Sequence, residues 1–308
     1  MGENIGSFFS HGKILISGEY LVLKGAKVLA IPVNLGQSLT VTSAKPGHIN
    51  WETFERGQLT FTAQFQLPGL AVLETSHDEK AQYISKLLMA VQKLDAAFLN
   101  SNEGYAIKTH IEFDTRWGLG SSSSLINNIA QWAQVNAFEL NQRVSQGSGY
   151  DIACAQSETP ILYQIKNNLP IIEKAPLLPF FFPELMLVHL NQKMATEANI
   201  SGFLSKPMDL EPAIKSINIL TEKMLCCTQL SKFQELMETH EKIVGKVIGR
   251  TPVKETLFVG FDGAVKSLGA WGGDFVLAAS ARPFEVQKSY FEQKGFPTVL
   301  KLGQLLIS

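Results

Sequence analysis

Cysteine is nearly absent: Cys154 and the adjacent pair Cys226 and Cys227 are the only three in 308 residues. So few, at that spacing, exclude a disulfide framework and match no zinc motif. All three read as small packing residues. Long apolar runs are missing too. No stretch reaches the roughly 18–20 residues that span a bilayer, and the N-terminal MGENIGSFFSHGKILIS has no basic-then-apolar signal pattern. Position six is Gly6 rather than Ser or Thr, which argues against myristoylation at Gly2. Charge of one sign is also lacking, because 27 basic residues against 28 acidic ones leave a net charge of -1. A nucleic-acid-binding chain usually carries a basic surplus. No repeat period or low-complexity tract is present, which sets arrays and solenoids aside. These absences predict a cytoplasmic protein with neither a membrane nor nucleic acid as partner.

What is present is ordinary for a globular enzyme or binding protein: 45% hydrophobic and 18% charged residues, in a chain long enough to bury a large core. The length predicts two domains. The first third is rich in short β-branched segments bounded by Gly, Pro or Asn, namely KILISGEYLVL, KVLAIPV, QSLTVTSA and YAIKTHIEF. They predict a mixed or antiparallel sheet rather than regular βαβ alternation. Helical periodicity marks DEKAQYISKLLMAVQKLDAAFL, where Ile84, Leu87, Leu88, Val91, Leu94 and Phe98 share a face. It returns through Leu125, Ile129, Trp132, Ala133, Ala137 and Leu140.

Between Asn167 and Glu184, four prolines break any helix and disfavour a central strand, which makes this segment the predicted domain boundary. Beyond it, LMLVHL reads as a buried strand followed by three helical segments. The second is predicted to start on a capping box of Ser231 and Gln234, and the third on Thr251 with Pro252 at the first helical position. DFVLAAS and PTVLKL read as two more strands around a helix near Phe284 to Gln293, so the second domain is α+β.

Four stretches carry possible chemistry. In RWGLGSSSSL, Arg116 to Leu125, the glycines allow close backbone approach to a polyanion, and the serines open a helix whose N-terminus favours negative charge. Hydroxyls there can ligate a nucleotide's Mg²⁺. The same letters also fit a plain turn in which Ser121 caps the helix. No Lys follows the glycines, so this is not a Walker A motif. In HGKILISGEYLVL, Lys13 is either a cation that neutralises charge during transfer or a solvated strand end, and Gly18-Glu19-Tyr20 interrupts the apolar run. In QGSGYDIACAQ, Asp151 is either a base or a helix cap. In KSLGAWGGDFVLAAS, Gly269, Gly272 and Gly273 fit either approach to an anion or a tight connection into a strand.

In their order and separation, over about residues 8–280, these four stretches together resemble the GHMP kinases. That superfamily includes galactokinase, homoserine kinase, mevalonate kinase and phosphomevalonate kinase; GYDIA, Gly149 to Ala153, marks a member of the type that carries this sequence. The resemblance implies an α+β, two-lobed fold. A ribosomal-protein-S5-domain-2-like N-terminal lobe would span 1–168 and a ferredoxin-like C-terminal lobe 180–308, with ATP and the acceptor in the cleft. It implies that Gly118, Leu119, Gly120, Ser121, Ser122 and Ser123 cradle the ATP phosphates, with Ser122 as a Mg²⁺ ligand. Lys13 would stabilise the transferring phosphoryl group or the acceptor oxygen, and Asp151 would act as general base. Gly269, Ala270, Gly272 and Gly273 would shape the phosphate and acceptor pocket. Phosphoryl transfer depends mostly on positioning and charge stabilisation, so these are parts of the expected kind.

Departures from the family pattern bear on the acceptor. DTRW replaces the proline-containing approach to the second motif, Trp271 stands where the third motif usually has glycine, and Tyr20 stands where mevalonate kinases usually have histidine. Mevalonate kinases carry a Mg²⁺-ligating Glu some eleven positions before the catalytic Asp; in this sequence either Glu139 or Gln142 stands near that place, and the resemblance assigns no second metal ligand. GSGYD, Arg116 and GGD resemble the phosphomevalonate kinases, whose phosphorylated acceptor is mostly ionised at neutral pH and calls for extra cations such as Arg116. Asp151 suits an alcohol acceptor such as mevalonate. The implied reaction is therefore ATP-dependent phosphorylation of mevalonate or 5-phosphomevalonate in isoprenoid precursor synthesis, by a monomer or homodimer. Other readings are a homoserine or sugar kinase, a diphosphomevalonate-decarboxylase-like enzyme, or a non-catalytic binding protein.

Overall fold

Period-two alternation in the first third folds as strands, with one face buried. The computed structural model describes residues 2–192, 203, 209–271 and 273–307. It comprises two compact units assembled from interleaved segments. Unit 1 takes Met1–Gly12, Leu35–Thr115 and Leu119–Gln156; unit 2 takes Lys13–Asn34, Arg116–Gly118 and Ser157–Ser308. Strands β1 (Asn4–Leu15) and β2 (Val28–Ala44) contribute residues to both.

In unit 1, β2 pairs with β6 (Gly104–Ile111), β6 with β3 (His48–Glu55), β3 with β4 (Gln58–Gln66), and β4 with β5 (Val72–Thr75). Of these four pairs only β3 and β6 run parallel, which makes the sheet mixed as the pattern predicts. Residues two apart point to one face, so Leu39 and Val41, Ile49 and Trp51, and Phe61 and Phe65 all enter one core. Against it pack α1 (Asp78–Gln92), α2 (Ser121–Ala133) and α3 (Ala137–Val144).

Helix α1 is shorter than its periodicity predicts. It ends at Gln92, and Asp95 accepts the Ala97 N–H at 3.0 Å in a local turn, which sends Phe98 edge-on to Trp132 at 4.8 Å. The single period from Leu125 to Leu140 is two helices. Gln134 is left-handed (φ 53°), and Asn136 caps α3 by accepting the N–H groups of Phe138 and Glu139.

In unit 2, Val28 to Ala30 of β2 pair with β7 (Ile161–Lys166), and β7 pairs with β8 (Leu169–Lys174). β8 is an edge strand, where Pro170 costs no central ladder bond. A second, antiparallel sheet runs β10 (Ala264–Ser267), β11 (Phe275–Ala279), β9 (Met186–His189), β12 (Val299–Lys301). Helices α5 (Glu211–Leu225), α6 (Leu230–Ile248) and α7 (Val253–Thr256) lie in the connection from β9 to β10, and α8 (Phe284–Gln293) joins β11 to β12. This order and sense is the ferredoxin-like βαββαβ plan.

Three local expectations are corrected. KILISGEYLVL is not one strand, because β1 ends at Leu15 and Leu21–Lys24 is a 3₁₀ turn preceded by left-handed Gly18 and Tyr20. Helix α6 starts at Leu230 with Gln229 at its cap position and no side-chain cap, so the Ser231 capping box is not used. Helix α7 begins one residue later than predicted, with Pro252 rather than Thr251 at the cap.

Candidate active site

Within unit 2, Lys13 lies near the end of β1 and its Nζ donates to the Gly118 carbonyl at 2.6 Å. Gly118 is left-handed (φ 65°), and a Cβ built there would stand 2.2 Å from Asp274 Oδ2. Only glycine fits, on conformation and on space. Left-handed Gly269 faces the same carboxylate, its virtual Cβ 3.4 Å away. The Arg116–Gly118 segment has two further anchors. His189 Nε2 donates to the Arg116 carbonyl at 3.0 Å, a tautomer set by the Asn191 N–H that Nδ1 accepts, and Trp117 meets Phe275 edge-on at 5.8 Å. Lys13, Arg116, Gly118, Gly269 and Asp274 are thus brought together.

The rest of the third glycine motif is tied to the core. Ala270 accepts the Tyr20 hydroxyl at 3.0 Å, and the Trp271 carbonyl accepts from Arg250. Trp271 itself is left-handed (φ 49°) and only 2% exposed. Its ring packs with Tyr20, Val244 and Val247 and reaches within 3.2 Å of the Cβ position of Gly245 on α6. The ring therefore fills the unit's own core. Gly273 is buried, and Gly272 lies outside the described residues.

Within unit 1, Gly120 (φ 93°) precedes α2, which opens on Ser121 without a side-chain cap and with no acidic residue in its first turn. Ser121 is therefore the first helical residue and not the cap. The first N–H groups of a helix have no intrahelical acceptor, and a 13-residue helix adds partial positive charge there. Leu119 is buried, Ser123 Oγ donates back to the Gly120 carbonyl at 2.9 Å, and Ser122 is exposed with its Oγ 2.7 Å from the Tyr83 hydroxyl. A buried polar network backs this helix. Asn127 Nδ2 donates to Ser10 Oγ at 2.9 Å, Ser10 Oγ to Asn128 Oδ1 at 2.7 Å, and Gln156 Nε2 to Asn127 Oδ1 at 2.8 Å.

Gln156 caps α4 (Tyr150–Ala155), whose first turn carries half-buried Asp151. The network therefore ties the helix that carries Ser122 to the one that carries Asp151. Glu139 and Gln142 are both exposed on α3. Among the described residues, no group of three or more His, Cys, Asp or Glu converges as a metal centre. The donors that the start of α2 offers are backbone N–H groups and hydroxyls, a set that fits a phosphate chain carrying its own cation.

No family model matches the chain and no curated protein matches it. Solved structures do resemble it. Streptococcus pneumoniae phosphomevalonate kinase in complex with phosphomevalonate and AMPPNP superposes with a TM-score of 0.70 at 15% identity, over 96% of this chain and 99% of that one. Lactococcus lactis galactokinase complexed with galactose gives 0.70 at 14%, over 98% and 93%. L. major mevalonate kinase in complex with R-mevalonate gives 0.65 at 16%, over 96% and 94%. The chain has the GHMP kinase fold. At such identities the likeness establishes the fold and leaves the chemistry to the residues.

This GHMP-fold chain also buries charges that its motifs did not assign. Glu19 and Lys266, both fully buried, form an ion pair, and Lys266 Nζ also donates to the Ser267 carbonyl at 2.8 Å. Glu241 accepts the Ser267 N–H and hydroxyl at 3.0 and 2.8 Å. His240 Nε2 accepts the Gly18 N–H at 2.8 Å, so the neutral ring carries its proton on Nδ1. Burial first, then the Lys266 charge, hold the pKa of His240 well below the usual range. Burial pushes Glu19 up to about 7 despite the opposing Lys266. Its Oε2 lies 3.4 Å from His240 Nε2, two lone pairs facing, a contact that a proton on Glu19 relieves. A glutamate inside LISGEYLVL and a lysine just before SLGAWGG are charges in apolar surroundings, the one signal by which the pair was legible.

Proposed function

We propose that this chain is an ATP-dependent small-molecule kinase that transfers the γ-phosphoryl group to mevalonate or 5-phosphomevalonate. The observation that carries the reading is the Gly118–Ser123 segment. Two left-handed glycines lead into a helix N-terminus free of acidic residues, with Ser122 exposed and Lys13 hydrogen-bonded at Gly118. In this reading the backbone of 118–123 holds the nucleotide phosphates, and the Ser122 hydroxyl completes the shell of a Mg²⁺ that the phosphates carry. Bound ATP supplies the phosphoryl group.

Lys13 offsets negative charge on that group or on the acceptor oxygen, and Asp151 takes the proton of an alcohol acceptor. Gly269, Ala270, Gly272 and Gly273 shape the pocket. Arg116 favours 5-phosphomevalonate, whose phosphate needs a cation, and Asp151 favours mevalonate, whose hydroxyl needs a base.

The test is an ADP-release assay with Mg²⁺-ATP and each of mevalonate, 5-phosphomevalonate, homoserine and galactose, with CO₂ followed in parallel. ADP release with one of the first two and no CO₂ is expected. Release with homoserine or galactose alone would reassign the acceptor, CO₂ would indicate a decarboxylase, and silence with all four despite ATP binding would overturn the mevalonate reading.

A further inference from the structure

In unit 1, α1, the residue that follows it and α3 border a half-open concavity of about 330 Å³ lined by Gln82, Ser85, Lys86, Met89, Lys93 and Arg143, together with Ala90. That volume lies at the lower end of the range for small-molecule sites. Three of its lining residues are cations and none is acidic. On a helix surface, a carboxylate three or four residues from a lysine lies near enough to pair with it. Lys86 has Gln82, Tyr83, Met89 and Ala90 at those positions, and Lys93, just past the end of α1, has Met89 and Ala90 in the turn before it.

Arg143 does have Glu139 one turn back, but the two form no ion pair, and neither lysine has an ion-pair partner among the described residues. Converging cations left without counter-charge at a small concavity leave their charge to be met by a ligand. Arg143 offers a planar fork for phosphate oxygens and the lysines offer point charges. Gln82 can donate as well, and Met89, 41% exposed, provides an apolar edge. Ser85 is already committed, its hydroxyl donating to the Leu70 carbonyl at 2.8 Å.

We propose that the pocket between α1 and α3, with Lys86, Lys93 and Arg143 as its cations, binds a small phosphorylated anion at a second site, separate from the Gly118–Ser123 segment. The site does not rest on the kinase reading. Tyr83, one turn before Lys86 on α1, touches Ser122, so saturating nucleotide distinguishes the pocket from the Gly118–Ser123 segment.

The experiment titrates the full chain with inorganic pyrophosphate by calorimetry, alone and at saturating Mg²⁺-ADP, in the wild type and in Lys86→Gln, Lys93→Gln and Arg143→Gln. These are exposed side chains, and melting curves confirm that each variant folds. Saturable binding that persists with Mg²⁺-ADP and weakens about tenfold or more in each variant is expected. Three results overturn the proposal. One is no saturable wild-type binding at millimolar pyrophosphate. Another is binding that Mg²⁺-ADP abolishes, which would place the anion in the nucleotide site or make the pocket part of it. The third is binding unchanged in all three variants. If the chain binds no ADP at all, the kinase reading fails, and the variants alone decide the pocket.

Discussion

Lys13 and Asp151 belong to residue types that occur on any protein surface, and they become specific through what holds them. Lys13 is fixed on the carbonyl of a glycine that tolerates no side chain, and Asp151 sits in the first turn of a helix anchored by buried hydrogen bonds. In the proposed roles of charge stabiliser and general base, Lys13→Ala and Asp151→Asn are each expected to lower turnover by about 10²–10⁴. Each should change the unfolding free energy by no more than about 1–2 kcal/mol in urea titration. Wild-type turnover in Asp151→Asn would remove its role as base and favour an acceptor that arrives already ionised. Cys226, exposed at the end of α5, is the control, and Cys226→Ala should alter neither quantity.

Among the elements, α2 bears the most. Its outward end presents N–H groups and hydroxyls, while its inner face places Asn127 and Asn128 where an apolar stripe would continue. Those asparagines look like errors of patterning until their partners are seen: Ser10 on β1, the Gln37 carbonyl on β2, and Gln156 at the end of α4. Asn127→Leu keeps the branching and heavy-atom count of the side chain and favours the helix, but leaves Gln156 Nε2 without its acceptor and Ser10 Oγ without a donor. The expected cost is about 1–3 kcal/mol in urea unfolding, with a loss of activity that follows from α4 shifting. A stability equal to wild type would mean that the network does not hold the two helices. Most elements were legible from period and turn residues, while helix ends were not. Asp95 and Asn136 redirect the chain through side-chain hydrogen bonds, and whether such a bond forms depends on where Phe98 and Leu140 find their packing.

At the scale of the whole molecule, the buried charges set the pH dependence of stability. Glu19 is raised to about 7 from 4.5, so the stability it contributes is fully present below about pH 4.5 and is lost as pH rises through about 7. Glu241, also raised by burial, acts in the same sense. His240 acts in the opposite one. Its depressed pKa contributes stability above pH 6.5 that is lost on acidification. The two slopes partly cancel in the wild type, so the contribution of Glu19 emerges as the difference from Glu19→Gln. The wild-type advantage over that variant should shrink between pH 4.5 and 7, by on the order of 3 kcal/mol, and stay constant above. Urea unfolding at half-unit pH steps measures it, and a difference that is flat with pH would show that Glu19 stays ionised throughout.

The sequence by itself determined the α+β class, the strands and helices of the ferredoxin-like unit, and the motif order that resembles the GHMP kinases. These depend on local periodicity, on turn residues, and on glycines that no other residue can replace. Only the tertiary structure decided what the unusual residues do. Trp271, at a position where glycine is usual, is absorbed by a gap that Gly245 leaves on α6, 26 residues earlier in the chain. Glu19 and Lys266 meet across 247 residues, and Lys86 and Lys93, on and just past α1, line the same concavity as Arg143 of α3. Local pattern governs how a segment coils or extends. The partner of a buried charge or a large ring is set by packing between distant segments, which no window of sequence contains.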